Sequence, residues 1–331
     1  MADAIFVHAW WRSGSTYIWS KLRQSQSHCC YYEPLHEKIA LLTADAAEAP
    51  PDRDASKASR HPIPEKNYFA EYADLLRCGS LRYSQDLAYG RYLLERGETD
   101  EQLRLYLEGL ISGAGAAARR PVLCFCRSQM RSVWIKETFG GIHVAQIRNP
   151  SDQWTSFHIE PYFINKLIII ALSLRRSHPG AFAHIESFER LAQDLARRPS
   201  LPAEMIFKFF SDQIDARAVF LVIWIASALQ AIACCDFLLD IDRLSTDSNY
   251  RKVTSRWFES IDCSVDFSDC SLPSSNDVRD PLFERTVQDA AKAVRSNASS
   301  LVVANPGAVE KWLPSLSPLS RRVLVSALGG E

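Results

Sequence analysis

The chain has 331 residues, 47% of them hydrophobic and 23% charged, the make-up of a globular protein with a large buried core. A formal net charge of −1 excludes a general nucleic-acid binder, so any nucleotide phosphates must be met by a few placed cations. The nine cysteines are odd in number, none has paired C-x-x-C spacing for zinc, and several lie in apolar runs, which predicts buried free thiols in a reducing compartment.

The N-terminus has no basic segment followed by an apolar core and cleavage site, so a cytoplasmic protein is expected. The first run, Ile5-Phe6-Val7-His8-Ala9-Trp10-Trp11, predicts a buried strand, with His8 a satisfied core residue. The chain then turns at Arg12-Ser13-Gly14. Ser15 or Thr16 is expected to cap a helix whose Ile18, Trp19 and Leu22 recur at helical spacing. Strand, tight polar turn and helix together aim backbone N–H groups and a helix dipole at an anion. Gly14 permits close approach, the hydroxyls of Ser13, Ser15 and Thr16 add donors, and Arg12 adds a planar cation. This is not the nucleoside-triphosphatase loop, which needs an earlier glycine and a lysine. Taken by itself the segment also reads as an ordinary strand-to-helix turn.

Ser27 to Pro34 is a second extended run, with Glu33 before a proline and expected to be extended at its end. Ala44 to Pro64, rich in Ala, Asp, Ser and Pro, predicts a mobile loop. Glu65 to Ala118 is helical by pattern, with Arg82, Arg91, Arg96 and Arg104 on a solvated face. Pro121–Cys126 predicts a strand and Ser128–Phe139 a helix that Gly140-Gly141 stop. Ile142–Ile147 predicts another strand, with Arg148 at its carboxyl end. Asn149 can cap, and Pro150 open, the next helix, on which Asp152 and Ser156 share a face. Arg148 and Ser156 offer a cation and a hydroxyl to one phosphate.

Phe163 to Leu174 is an apolar helix. Ala218 to Leu239 reaches the ~20 residues of a membrane span, but Ser227, Gln230 and Asp236 interrupt it. A buried crossover helix feeding a strand over 236–242 explains it better, so no transmembrane segment is expected. Ser248 to Arg256 reads as a surface helix bearing Tyr250, Arg251 and Lys252, and Pro318–Leu328 as an amphipathic packing helix. The pattern predicts an α/β fold: a central, mainly parallel sheet flanked by helices, in one domain over 1–331 with a helical, loop-containing insertion at about 44–118. In such sheets, loops at the carboxyl ends of different strands converge on one ligand.

Arg12-Ser13-Gly14-Ser15-Thr16, followed far downstream by Arg148-Asn149-Pro150-x-Asp152-x-x-x-Ser156, resembles the two nucleotide-binding motifs of sulfotransferases that use 3′-phosphoadenosine 5′-phosphosulfate (PAPS). Glu33-Pro34-Leu35-His36 resembles the carbohydrate-modifying branch of that family. The resemblance implies a P-loop-like nucleotide-binding architecture, the sulfotransferase fold. The first motif would hold the 5′-phosphosulfate and the second the 3′-phosphate. Tyr17 stands where some relatives stack an aromatic ring on adenine. The small-molecule branch carries a catalytic histidine at the end of the strand that here reads Cys124-Phe125-Cys126-Arg127, and this departure throws weight onto Glu33.

Sulfuryl transfer asks mainly for positioning and charge stabilisation. Arg12 and the amides of Ser13–Thr16 would grip the leaving phosphate, and Arg148 with Ser156 would fix the 3′-phosphate. Glu33 is the first choice of base and His36 the second. No metal is demanded, since the protein supplies the cations. The resemblance implies an acceptor hydroxyl on a carbohydrate or glycolipid. Two other classes stay open: an atypical P-loop phosphotransferase, which would need a metal-binding carboxylate and a lysine, and a non-catalytic nucleotide-binding protein of the same fold.

Overall fold

A computed structural model describes residues 3–54, 63–197, 214–272, 281–297 and 306–330. The chain is an α/β protein, and the five strands among the described residues are all parallel: β1 (Ile5–His8), β2 (His28–Tyr32), β3 (Arg120–Phe125), β4 (Ile142–Ile147) and β5 (Phe237–Asp240). They lie in the order β2-β3-β1-β4-β5. β1 is central, with Ile5–His8 opposite Val122–Phe125 on one side and Ile142–Ala145 on the other.

The strand residues alternate between two covered faces. Ile5 and Val7 join Ile18, Trp19, Val122, Cys124, Val144 and Leu239 on one face. Phe6 joins Tyr31, Leu123, Phe125 and Trp134 on the other. The apolar helix Ala216–Cys234 is the centre of a third cluster. By length and composition it could cross a membrane, yet 83% of its most apolar window is buried in the protein, as in a core helix. Asp215 caps it, and the chain then enters β5 as expected.

Several local expectations are corrected. The helix after the first turn spans Ser15–Leu22, and its N-cap is Gly14, with no side-chain cap. Ser15 and Thr16 are already helical, because the left-handed Gly14 (φ 85°) makes the turn itself. The stretch predicted as a mobile loop begins with a helix, Ala44–Glu48, capped by Thr43; residues 55–62 lie outside the described part. The region over 65–118 breaks into short pieces before one long helix, Glu101–Ala116, capped by Asp100. Gly79, Arg91 and Gly97 have positive φ there and interrupt the helical path. Tyr250, on the helix Ser248–Glu259, is no surface residue: its hydroxyl donates to Leu238 O at 2.8 Å and accepts from Asp240 N at 2.9 Å, pegging β5.

Candidate anion-binding site

The turn after β1 is built by its backbone carbonyls. Trp10 O accepts from Ser13 N and Ser13 Oγ. Trp11 O accepts from Gln153 Nε2 at 2.7 Å, Arg12 O from Arg148 Nη1 at 2.9 Å, and Ser13 O from Gln146 Nε2 at 2.8 Å. Three side chains from β4 and the segment that follows it thus hold the carbonyls of 11–13 inward. The N–H groups of Gly14, Ser15 and Thr16 have no acceptor among the described residues. Arg12 (φ 62°) and Gly14 both take the left-handed conformation. Consecutive amides turned outward at a helix start form a concavity suited to an anion.

The hydroxyls here face inward. Ser13 Oγ is committed to Trp10 O, Ser15 Oγ lies 3.0 Å from Cys126 Sγ, and Thr16 Oγ1 lies 3.1 Å from the Tyr32 hydroxyl. The donors facing outward are therefore the amides rather than the side chains. Arg12 Nε donates to Ser156 Oγ at 2.9 Å, and its guanidinium lies 5.6 Å from the Phe163 ring. Arg12, Arg148 and Ser156 thus meet at the carboxyl edge of β1 and β4, although the first two are 136 positions apart. Asn149 caps the helix Pro150–Phe157, which carries Ser156, by accepting from Asp152 N and donating to Asp152 Oδ2. Asn149 N donates to Asp242 Oδ2 at 2.5 Å. Burial, then the charge of Asp240, pushes the Asp242 carboxyl up to about 7.

Glu33 stands just past β2. It is not extended: its φ is 39°, because its carbonyl accepts from His36 N at 2.8 Å and closes a tight turn. Its own N–H donates to Cys124 O and keeps it on the sheet. The carboxylate accepts from Arg127 Nη1 at 3.1 Å. Arg127, buried at 1% exposure, also donates to Leu35 O, to Glu37 Oε2 at 2.8 Å and to the Tyr162 hydroxyl. Burial opposes the charge on Arg127, but Glu33 and the groups around it keep the guanidinium cationic. Burial, the largest single influence, pushes Glu37 up, yet Arg127, His36 and the hydrogen bond from Tyr162 together outweigh it and hold that carboxyl at about 2.

His36 caps the turn Glu37–Leu41, its Nδ1 accepting from Lys38 N at 3.1 Å. Burial, then Arg127, pushes it down to about 4, so near neutral pH it is uncharged and one ring nitrogen is engaged. The Tyr17 hydroxyl donates to Asp269 Oδ1 at 2.8 Å, and its ring is flanked by Phe267 and Lys21. His8 is a core residue in a directed chain. Gly140 O can only accept, so His143 Nε2 donates to it. His143 Nδ1 then accepts from His8 Nε2 at 2.9 Å, and His8 Nδ1 accepts from Ser128 at 2.7 Å.

No family model, curated protein sequence or solved structure matches this chain.

Four residues of this site were given no role of their own from the sequence: Gln146, Gln153, Arg127 and Glu37. Gln146 carried a signal, being a lone amide in an apolar strand. Such a residue, buried at 0% exposure, must find partners, and it finds the loop carbonyl of Ser13. Gln153, Arg127 and Glu37 carried none, because their partners lie tens of residues away.

Proposed function

We propose that this chain is a PAPS-dependent sulfotransferase with a P-loop-like nucleotide site, moving the sulfuryl group to a hydroxyl on a carbohydrate or glycolipid. The observation that carries the reading is the loop of 11–16, its carbonyls drawn inward by Gln153, Arg148 and Gln146 and its N–H groups left for an anion. A second cation and hydroxyl, Arg148 and Ser156, stand at the neighbouring strand end, as a donor with phosphates at two positions requires. The strand order adds support: β3 and β4 flank β1 on opposite sides, and open α/β sheets take ligands where the order reverses. Arg12 and Glu33, the proposed catalytic pair, are both non-glycine residues with positive φ, a strain concentrated at functional sites.

In this reading the acceptor oxygen attacks sulfur while the bond from sulfur to the bridging phosphate oxygen breaks. The electron pair goes to the leaving phosphate, whose growing charge meets Arg12 and the loop amides. The acceptor proton goes to Glu33, which Arg127 orients. Arg148 and Ser156 bind the non-reacting phosphate and align the reacting end.

The pairing of Glu33 with Arg127 favours one second reading, a nucleotide-binding protein of the same fold that does not turn over. Calorimetry tests the shared premise. Adenosine 3′,5′-bisphosphate is expected to bind at least about tenfold more tightly than ATP, which has no 3′-phosphate for an Arg-centred site. Equal affinity for the two overturns both readings, and an assay with labelled PAPS then separates enzyme from binder.

A further inference from the structure

Arg148 stands among carboxyl groups. The residue after it, Asn149, is fastened on two sides. Its N–H donates to Asp242 Oδ2 at 2.5 Å, and its side chain exchanges two hydrogen bonds with Asp152. Asp152 comes from the helix Pro150–Phe157, and Asp242 from the short helix Ile241–Thr246 that follows β5. Asp240, the last residue of β5, is fully buried. The charged groups that act on Asp242 thus come from three elements: Asp240 from β5, Arg148 from the end of β4, and Asp152 from the helix after it.

The neighbouring pair Asp240 and Asp242 is unequally supplied with donors. Asp240 accepts from the N–H groups of Arg243, Ser317 and Asp242, whereas the Asp242 carboxyl accepts from Asn149 N. Donors stabilise the ionised form, so within this pair the proton goes to Asp242. Burial and then the charge of Asp240 push that carboxyl up to about 7, so it changes charge in the neutral range. An anion held by Arg148 adds negative charge to the group. It therefore favours protonated Asp242, and by reciprocity protonated Asp242 favours the anion. The carbonyl oxygen of the protonated carboxyl can still accept from Asn149 N, so the segment keeps its tether when the charge is lost. We propose that Asp242 is a positioning residue that fixes the Arg148-Asn149 segment and admits an anion there together with a proton. This deepens, and rests on, the reading of Arg148 as the cation of the second phosphate.

Calorimetry on the full chain tests this with two probes, sulfate and adenosine 3′,5′-bisphosphate. Phosphate esters themselves titrate near pH 6, whereas sulfate keeps its charge, so sulfate reads the protein's proton alone. Titrations at pH 7 in buffers of different ionisation enthalpy are expected to show up to about half a proton taken up per sulfate, because a group near pH 7 is half charged there. Sulfate affinity is expected to rise about fivefold from pH 8 to pH 6. Asp242→Asn keeps an acceptor for Asn149 N without the charge; it is expected to take up no proton and to bind sulfate equally at both pH values. Asp242→Ala also loses the acceptor and is expected to bind about fivefold more weakly than Asp242→Asn, the scale of one hydrogen bond. Absence of sulfate binding, no proton uptake in the unchanged chain, the same pH dependence in Asp242→Asn, or equal affinity in the two variants overturns the proposal. The proton measurement needs no variant, so it decides where a variant does not fold. Bisphosphate binding beside sulfate binding without proton uptake overturns the proposal and leaves the nucleotide reading standing. Proton-linked sulfate binding without bisphosphate binding supports the proposal and overturns the nucleotide reading instead.

Discussion

Arg127 holds two carboxylates with one guanidinium, and this shapes what each glutamate can do. Glu33→Gln keeps size and polarity but removes the basicity. It is expected to lower turnover of labelled PAPS by about a hundredfold or more, the scale of general-base catalysis, while bisphosphate binding persists. His36→Ala should cost less, because His36 is already occupied in capping its own turn. Near-full activity in Glu33→Gln beside a dead His36→Ala would reverse the assignment. The two arginines should separate in kinetics. Arg12→Ala is expected to lower kcat more than affinity, since it meets charge that grows in the transition state. Arg148→Ala is expected to weaken donor binding first, both by losing a phosphate contact and by releasing Arg12 O from its tether. Titration calorimetry beside steady-state kinetics reads the split, and identical effects on both quantities in both variants would count against these roles.

At the scale of elements, the loop after β1 keeps its shape because β4 and the helix after it grip it. Gln146 and Arg148 come from β4 and its end, and Gln153 from the helix Pro150–Phe157. Gln153 is itself held by Trp224 of the core helix, whose Nε1 donates to Gln153 Oε1 at 3.0 Å. Gln146→Leu fills nearly the same space but strands Ser13 O. It is expected to destabilise the fold by about 1–3 kcal/mol, the penalty for an unsatisfied buried acceptor, and to weaken bisphosphate binding although Gln146 is given no ligand contact. Thermal melts with calorimetry check both; full affinity in this variant would mean that the loop holds its shape without the tether.

The pH dependence of the whole molecule sets its buried histidines against Asp242, whose carboxyl, pushed up to about 7, takes up a proton in the folded state before the unfolded one and so adds stability as the pH falls. His8, His36 and His143 are all shifted downward by burial, and His143 is pushed down to about 4. The unfolded chain, with histidines near pH 6.5, binds more protons than the folded one between these values. The histidine contribution is therefore complete above about pH 6.5 and falls as the pH drops toward 4. His143 alone accounts for roughly 3 kcal/mol across that window. Glu37, held low by Arg127, adds a further loss only below about pH 4, where the unfolded carboxyl protonates first. The melting temperature of His143→Gln, which takes up no proton, is expected to fall less, or rise more, between pH 7 and pH 4 than that of the unchanged chain. An unchanged slope in that variant would show that the imidazole chain does not govern acid stability.

Local chemistry was legible in the sequence wherever one segment decided it. The run of 142–147 had to be a strand, Asn149-Pro150 had to start a helix, and Arg12, Gly14 and Arg148 had to sit at strand ends, because hydrophobic period, capping and turn residues act over a few positions. Glu33 was placed correctly at a strand end, but its left-handed backbone was not foreseen, since a residue before proline prefers extended geometry unless a turn overrides it. Only the tertiary structure decided what long-range partners decide. It turned the hydroxyls of Ser13, Ser15 and Thr16 inward, tied Tyr17 to Asp269, and set Arg127 between Glu33 and Glu37. These pairings join residues separated by up to 252 positions. Local propensity holds no information about them, because they exist only once five strands have come together and buried groups must find partners where the fold has left them.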